Sequence, residues 1–396
     1  MKILHLSDLH LGAKTEGFLR ISEQKSILSE IEQIANSNNI DIIAIAGDIF
    51  HVANPSAEAE DLFYSFLENL TKDKNRVVLV VAGNHDDPKR LACCQPLAKS
   101  HNIVLCTDLS PLPTYKPNGS VVISQTGRGF AKIQKGTEAV CAALLPYATK
   151  SRIEQSTKDL NFPKTDNYQQ NVQNWLKFAS QKFEKSAFNL LVAHQYVVGA
   201  KEMVGSKEQK VSVGSALSVP ISVFPNADYI ALGHLHTSQL VAGSKNIYYS
   251  GSTIKLRLYD QAPSVLIVDT KTKQTKKVSL KSCYDIKKVE AENASDAIKK
   301  LSLLQSTDLV YLQLTKTNSI TALDIKEIKQ QNSTVVSITF KSNQALKNNN
   351  FVDTKNMTPA QLFDKFVEQK TGKPAPENLI NMFLSILEES NETNNS

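Results

Sequence analysis

Asp41-Ile42-Ile43-Ala44-Ile45-Ala46-Gly47-Asp48-Ile49-Phe50-His51 is a short apolar run cut off by a polar cluster. A run this short and this continuous predicts a strand buried on both faces. The glycine behind it allows a sharp turn, and Asp48 and His51 beyond the turn are metal-ligand residue types. The same event recurs along the chain. Strand-like runs also end in Asp8-Leu9-His10, in Gly83-Asn84-His85-Asp86, at His194, and in Gly233-His234-Leu235-His236. Six of the eight histidines fall in these clusters, and only His5 and His101 lie outside. Carboxylate, amide and imidazole groups gathered at strand ends are what a two-metal hydrolase needs.

Working outward, helical periodicity fills the gaps between the first strands. Residues 20–35 put Ile27, Leu28, Ile31, Ile34 and Ala35 on one face, and residues 57–70 do so with Leu62, Phe63, Phe66, Leu67 and Leu70. With strands at Lys2–Leu6, Asp41–Ala46 and Arg76–Ala82, the order is strand, helix, strand, helix, strand. That is an α/β pattern, and its ligand sites lie beyond the carboxyl ends of the strands. Residues 121–146 predict two or three strands, and 166–185 a helix around the only tryptophan, Trp175. Phe188–Ala193 and Asp228–Leu232 are two more buried strands, each delivering a histidine. Ile247–Ser250 and Ser264–Asp269 read as antiparallel strands that close a domain spanning 1–275.

The lysine-rich stretch Lys271–Lys277 marks the boundary, although such a run also suits a solvated hairpin. Residues 276–342 form a small α+β module, with strands at Tyr284–Glu290, Leu309–Leu314 and Val335–Phe340 and a helix at Ala294–Leu304. Residues 343–357 are Asn-rich and poor in apolar side chains, as a linker is. Residues 358–390 predict two helices. Thr358 and Pro359 supply an N-cap and first turn, Leu362, Phe363, Phe366 and Val367 the first apolar face, and Gly372 and Pro374 the stop. Leu379, Ile380, Phe383, Leu384 and Leu387 mark the second. Two short amphipathic helices do not bury their apolar faces on each other alone, so they pack on the body or dock on a partner. Residues 391–396 read as a disordered tail.

The chain has 396 residues, enough for two or three domains, with a formal net charge of +6. That mild basicity fits a polyanionic substrate without requiring one. The five cysteines are odd in number and show no C-x-x-C spacing, which fits free thiols in a reducing, cytoplasmic compartment. No apolar stretch approaches the roughly 20 residues of a spanning helix. No P-loop pattern is present, so any ATP dependence belongs to a partner.

Mixed oxygen and nitrogen ligands suit Mn²⁺, Fe²⁺ or Zn²⁺ better than Mg²⁺ or Ca²⁺. Asp48, at the centre, is the natural bridge between two ions. An isolated Asp-x-His is a weak signal. All the clusters in this order, each at a strand end, form a strong one. The set Asp8-x-His10, Gly47-Asp48-x-x-His51, Gly83-Asn84-His85-Asp86, His194 and Gly233-His234-x-His236 resembles the calcineurin-like metallophosphoesterase superfamily. Within it, Leu-His-Leu-Ser-Asp-Leu-His-Leu-Gly at 4–12 and Ala-Asp-Tyr-Ile-Ala-Leu-Gly-His-Leu-His at 227–236 resemble nuclease subunits of bacterial SbcCD repair complexes. The motifs cover about the first 270 residues; beyond them only the layout matches.

The resemblance implies a β-sandwich flanked by helices, then a small α+β capping domain and C-terminal helices. It implies two Mn²⁺ ions, or Mg²⁺ or another divalent ion in their place. Asp8, His10, Asp48 and His236 would hold one, and Asp48, Asn84, His194 and His234 the other. It gives His85 the role of protonating the leaving oxygen or stabilising charge beside it, and His51 that of orienting the scissile phosphate. It implies an SbcC-type coiled-coil ATPase as partner, with DNA as substrate and two copies of each subunit. Departures at Thr237-Ser238-Gln239 and at Lys255–Asp260 touch none of these ligands.

Other residues carry weaker expectations. His5, inside the first strand, reads as a satisfied core histidine. Asp86 reads either as a hydrogen-bond partner of a ligand histidine or as an exposed loop carboxylate. Lys14, Arg20, Lys89, Arg90, Lys255 and Arg257 flank the motif loops; any one of them reads better as solvated surface charge, and two or three of the set are expected on phosphates. Two other functions compete. A small-molecule or phosphoprotein phosphoesterase would more often carry Gly-Asp-x-x-Asp-Arg where this chain has Gly-Asp-Ile-Phe-His. A silent architectural subunit would have no need of a full ligand set.

Overall fold

A computed structural model describes residues 1–71, 73, 75–149, 152–154, 157, 165, 167–201, 218–305, 307–315, 320–341, 359–371, 374–377, 379–380 and 383. Parallel strands and helices alternate first: β1 (Lys2–Leu6), α1 (Ile21–Ser37), β2 (Ile42–Ala46), α2 (Ala57–Thr71), β3 (Val77–Val81) and β4 (Ile103–Cys106). Then come β5 (Val122–Gly127), β6 (Phe130–Lys135), β7 (Glu138–Leu145), α3 (Tyr168–Ala179), β8 (Phe188–His194), β9 (Tyr229–Gly233), β10 (Gln239–Leu240) and β11 (Ile247–Tyr249). The hairpin β12 (Ser264–Asp269) and β13 (Thr275–Ser279) follows. After it lie β14 (Asp285–Ala291), α4 (Ala294–Leu301), β15 (Asp308–Leu314), α5 (Ala322–Gln331) and β16 (Val335–Phe340).

Two sheets face each other. One has the order β13-β12-β1-β2-β3-β4 and the other β10-β11-β9-β8-β7-β6-β5. Between them lies an apolar core that includes Ile3, Ala44, Leu79, Val81, Ala142, Leu190 and Val192. On the outside, Ile27, Ile31, Phe63 and Phe66 of α1 and α2 cover the first sheet. Trp175 and Leu176 of α3 cover the second. This is the helix-flanked β-sandwich expected from the motifs, and β2, β3, β8 and β9 are buried almost throughout because both of their faces are covered.

One pairing differs from expectation. Ile247–Tyr249 and Ser264–Asp269 do not pair with each other. The first runs parallel to β9 in one sheet, and the second runs antiparallel to β1 in the other. The two segments share composition but are separated by a loop that crosses from one sheet to the other. The lysine run supplies the turn of the β12–β13 hairpin, which extends the first sheet to Ser279.

The third sheet, β14-β15-β16, is parallel, its strands joined by β-α-β crossovers. α4 and α5 pack on one of its faces through Ala297, Leu301 and Ile328. Thr321 and Asp324 cap α5 reciprocally. Residues 1–341 form one compact unit and 342–396 a second. In the second, the helix α6 (Pro359–Thr371) is described, and the Phe363 ring stacks on Phe383 with centroids 4.2 Å apart. The expected linker at 343–357, the Thr358 cap, the Gly372 stop, Leu384, Leu387 and the tail at 391–396 lie outside the described residues.

Candidate metal centre

The carboxyl ends of β1, β2, β3, β8 and β9 reach one edge of the sandwich, and each turns there into a ligand-type cluster. The first two turns are zipped together. Asp8 N donates to Gly47 O (3.0 Å), His10 N to Asp48 O (3.0 Å), and His51 N to Leu11 O (3.1 Å). The turns are tight enough to force unusual backbone. Asp8, His10, Asp48 and His234 all have positive φ, at 54°, 44°, 51° and 103°. Two glycines permit the crowding. A Cβ on Gly83 would lie 2.1 Å from Asp48 Oδ1, and one on Gly233 would lie 1.8 Å from Ala46 O.

All nine expected site residues come together here. The side chains of Asp8, His10 and His236 form one group whose ligand atoms lie within 4.8 Å of one another. His10 Nε2 and His236 Nε2 face each other at 3.0 Å. Asp8, Asp48 and His194 form an adjoining group of the same dimensions. Asn84 Oδ1 meets His194 Nε2 at 3.0 Å and His234 Nδ1 at 2.9 Å, and Asp48 Oδ2 is 3.4 Å from His194 Nε2. Asp48 therefore reaches both sides, since His10 Nε2 is 3.8 Å away on the other. His194 Nδ1 donates to Ala46 O at 2.8 Å, which fixes the ring with Nε2 toward the centre.

His51 and His85 stand beside these groups. Their rings stack with centroids 5.8 Å apart. His85 Nδ1 donates to His51 O at 2.7 Å, and His85 N donates to Asp48 Oδ1 at 2.9 Å. Ring nitrogens of His10, His51 and His85 also lie within 4.8 Å of one another.

The electrostatics fit cations. Burial holds His10 well below the usual histidine range, and burial with His85 and Arg257 nearby lowers His51. Burial disfavours a charged His194 as well, but Asp48 and Asp8 outweigh it and hold its pKa up at about 9. Burial pushes Asp8 up, whereas at Asp48 the surrounding histidines prevail over burial and hold it well below the carboxylate range. Two buried carboxyl groups, Asp8 and Asp48, thus crowd together among the histidines. Among the described residues, the buried Nδ1 atoms of His10, His51 and His236 have no hydrogen-bond partner. Facing imidazole nitrogens and crowded buried carboxyl groups suit a cluster built around divalent ions.

Several neighbours differ from expectation. Asp86 is neither an exposed carboxylate nor a partner of a histidine. It is buried and accepts the backbone N–H groups of Gly83 (2.8 Å), Phe50 (2.9 Å) and Ile49 (3.2 Å), so it ties the second turn to the third. Arg20 is not at the surface but fully buried in an ion pair with Glu23. Arg90 forks onto Glu60 and also reaches Asn54, and Lys255 reaches Asp285 and Ile286 O. His5 is the core histidine anticipated, held by Tyr229 OH and Leu232 O.

Three residues were not anticipated. Tyr147 stacks on His234 at 6.0 Å, and Tyr196 approaches the same ring edge-on at 6.3 Å. Arg152 donates to Gly83 O, Tyr147 O and Asp86 O, clamping the third turn. A signal for Tyr147 did exist, because it follows β7 as the histidines follow their strands, but it lies in a stretch whose strand count was ambiguous.

A family model described as calcineurin-like phosphoesterase matches residues 1–238. The chain is 29% identical over 398 residues to a Bacillus subtilis (strain 168) protein named as a subunit of the nuclease SbcCD, over 98% of this chain and 97% of that one. A Staphylococcus epidermidis protein of the same name is 26% identical, over 81% of this chain and 80% of its own. For the Escherichia coli (strain K12) protein of that name the figures are 28%, 65% and 61%.

Proposed function

Because the chain belongs to the calcineurin-like phosphoesterase family, we propose that it is the nuclease subunit of an SbcCD-type complex and cuts DNA phosphodiesters with two Mn²⁺ ions. In this reading it works in the cytoplasm with an SbcC-type coiled-coil ATPase, two copies of each. It opens hairpins and acts as a 3′→5′ exonuclease on duplex DNA and an endonuclease on single strands, in repair, recombination and replication. The observation that carries the reading is the gathering of Asp48 and six other ligand-type side chains at one edge, with His51 and His85 beside them. Names borne by relatives along most of the chain support the substrate and the partner.

Asp8, His10, Asp48 and His236 would hold one ion, and Asp48, Asn84, His194 and His234 the other, with Asp48 shared. When bound, two such ions supply Lewis-acid charge for the phosphoryl oxygens and acidify water. The chain's own residues do the rest. Asp48 is held by the backbone N–H of His85 as well as by His194. His85 donates its Nδ1 proton to His51 O, so its Nε2 is the nitrogen left to face the departing 3′-oxygen; in the imidazolium form that nitrogen carries the proton the oxygen takes up, and the ring is left neutral with Nδ1 still protonated. The half-buried His51, kept neutral near pH 7, orients the phosphate by hydrogen bonding.

Residues 276–342 serve in this proposal as a capping domain and 358–390 as the docking element for the ATPase. End-labelled hairpin DNA is the deciding substrate. With Mn²⁺, ATP and the ATPase partner, the hairpin is opened and degraded. Activity confined to phosphotyrosine or free nucleotides would instead favour a small-substrate phosphoesterase.

A further inference from the structure

The third sheet is covered by helices on one face, while the other is buried at Ile286 and Leu309 and open farther along the strands. Val289, Val310, Leu312 and Leu314 point to α4 and α5. The opposite face carries Lys288 beside Tyr311 and Gln313 beside Thr339, in register. Across from it runs the loop 255–260, and Arg257, Leu258 and Tyr259 close a cleft of about 280 Å³ against that open face. The volume lies just below the roughly 300–1,000 Å³ of ordinary small-molecule sites, the size of one small group and not of a duplex.

The loop is a fixed wall. The Asp260 carboxylate accepts the N–H groups of Leu256 (3.0 Å) and Arg257 (2.8 Å), and Thr15 Oγ1 donates to Leu256 O at 3.2 Å. It also starts at the metal centre. Ser252 Oγ donates to Asp8 O at 2.9 Å, and five residues of chain reach at most about 18 Å. Arg257 is near enough for its charge to act on His51. Arg257 therefore lines the cleft and also acts on His51 at the metal centre.

Its chemistry is specific. Tyr259 is 60% exposed and sits near Lys288, whose ammonium also pairs with Glu290 at 2.7 Å. Tyr311 reaches Glu16 at 3.5 Å. A single exposed aromatic is unremarkable. An exposed aromatic between two cations, over a sheet face bearing an amide and a hydroxyl, is what an unpaired nucleotide needs: a ring for the base, charge for the phosphate, and polar groups for the base edge.

We propose that this cleft is a subsite for one unpaired nucleotide next to the scissile phosphate. Its base lies on Tyr259 and the open sheet face, and its phosphate lies between Arg257 and Lys288. The inference rests on the nuclease reading of the metal centre and gives that centre a preference for strands already unpaired.

The test compares turnover of a short oligothymidylate with that of bis(p-nitrophenyl) phosphate, a diester too small to reach the cleft, using the full chain with Mn²⁺. Tyr259→Ala lowers the ratio of oligonucleotide to small-diester turnover about tenfold, whereas Tyr259→Phe, which keeps the ring, holds it within about twofold of wild type. Arg257→Gln lowers the same ratio and flattens its dependence on salt. An unchanged ratio in Tyr259→Ala, or equal losses in the Ala and Phe variants, overturns the subsite and leaves the nuclease reading standing. If the wild-type chain turns over neither substrate, the nuclease reading fails and the subsite falls with it.

Discussion

His85 and His194 both commit Nδ1 to a backbone carbonyl, yet their other nitrogens meet different surroundings. His194 Nε2 lies 3.0 Å from Asn84 Oδ1 and 3.4 Å from Asp48 Oδ2, inside a ligand group. His85 stacks outside that group on His51. His85→Ala is therefore expected to keep full metal content by elemental analysis while turnover falls about a hundredfold or more, the usual weight of a general acid. Loss of metal in that variant would remove the assigned role. Residue types and spacing made all nine side chains legible, because strand ends concentrate them. They did not reveal what Asp86 and Arg20 do. Both lie next to the motifs, as expected of phosphate or ligand contacts, but both side chains turn inward, Asp86 to three backbone N–H groups and Arg20 to Glu23. Side-chain direction depends on long-range packing, which adjacency in sequence does not encode.

At the scale of elements, the centre exists because five parallel strands stop at one level. Their buried runs, three of them followed by a glycine, were readable as strands with sharp ends. The sheet to which each strand belongs was not, since pairing joins segments far apart: β12 lies beside β1 and not beside β11. β4 went unnoticed because a four-residue run between turns carries little pattern. The strand ends are also packed against each other. Gly83→Ala would set a methyl group 2.2 Å from Asp48 N as well as against its carboxylate. We expect about 1–3 kcal/mol of lost stability in urea denaturation, together with reduced metal binding by calorimetry. Retention of both wild-type values would show that the third turn has room to shift.

For the whole molecule, a buried joint ties the three-stranded module to the sandwich. Glu23 pairs with Arg20 and accepts from Ser282 Oγ and Tyr284 N, and the Arg20 guanidinium lies 5.6 Å from the centroid of the Tyr284 ring. The C-terminal unit is organised separately, with Leu362 and Phe366 exposed. Deleting 357–390 is expected to abolish co-purification with the coiled-coil ATPase and to spare metal-dependent cleavage. Undiminished co-purification would place the docking surface elsewhere. The left-handed backbone at Asp8 carries a further consequence. Asn adopts positive φ as readily as Asp, so Asp8→Asn keeps the turn and removes a carboxyl group whose charged form burial disfavours. In a chelating buffer this variant should melt higher than wild type, by about 0.5–2 kcal/mol. With saturating Mn²⁺ the order should reverse, because a carboxylate holds a divalent ion more tightly than an amide does and tighter binding stabilises the folded chain more. On that outcome the fold bears a standing instability at its working edge, which a bound metal would relieve.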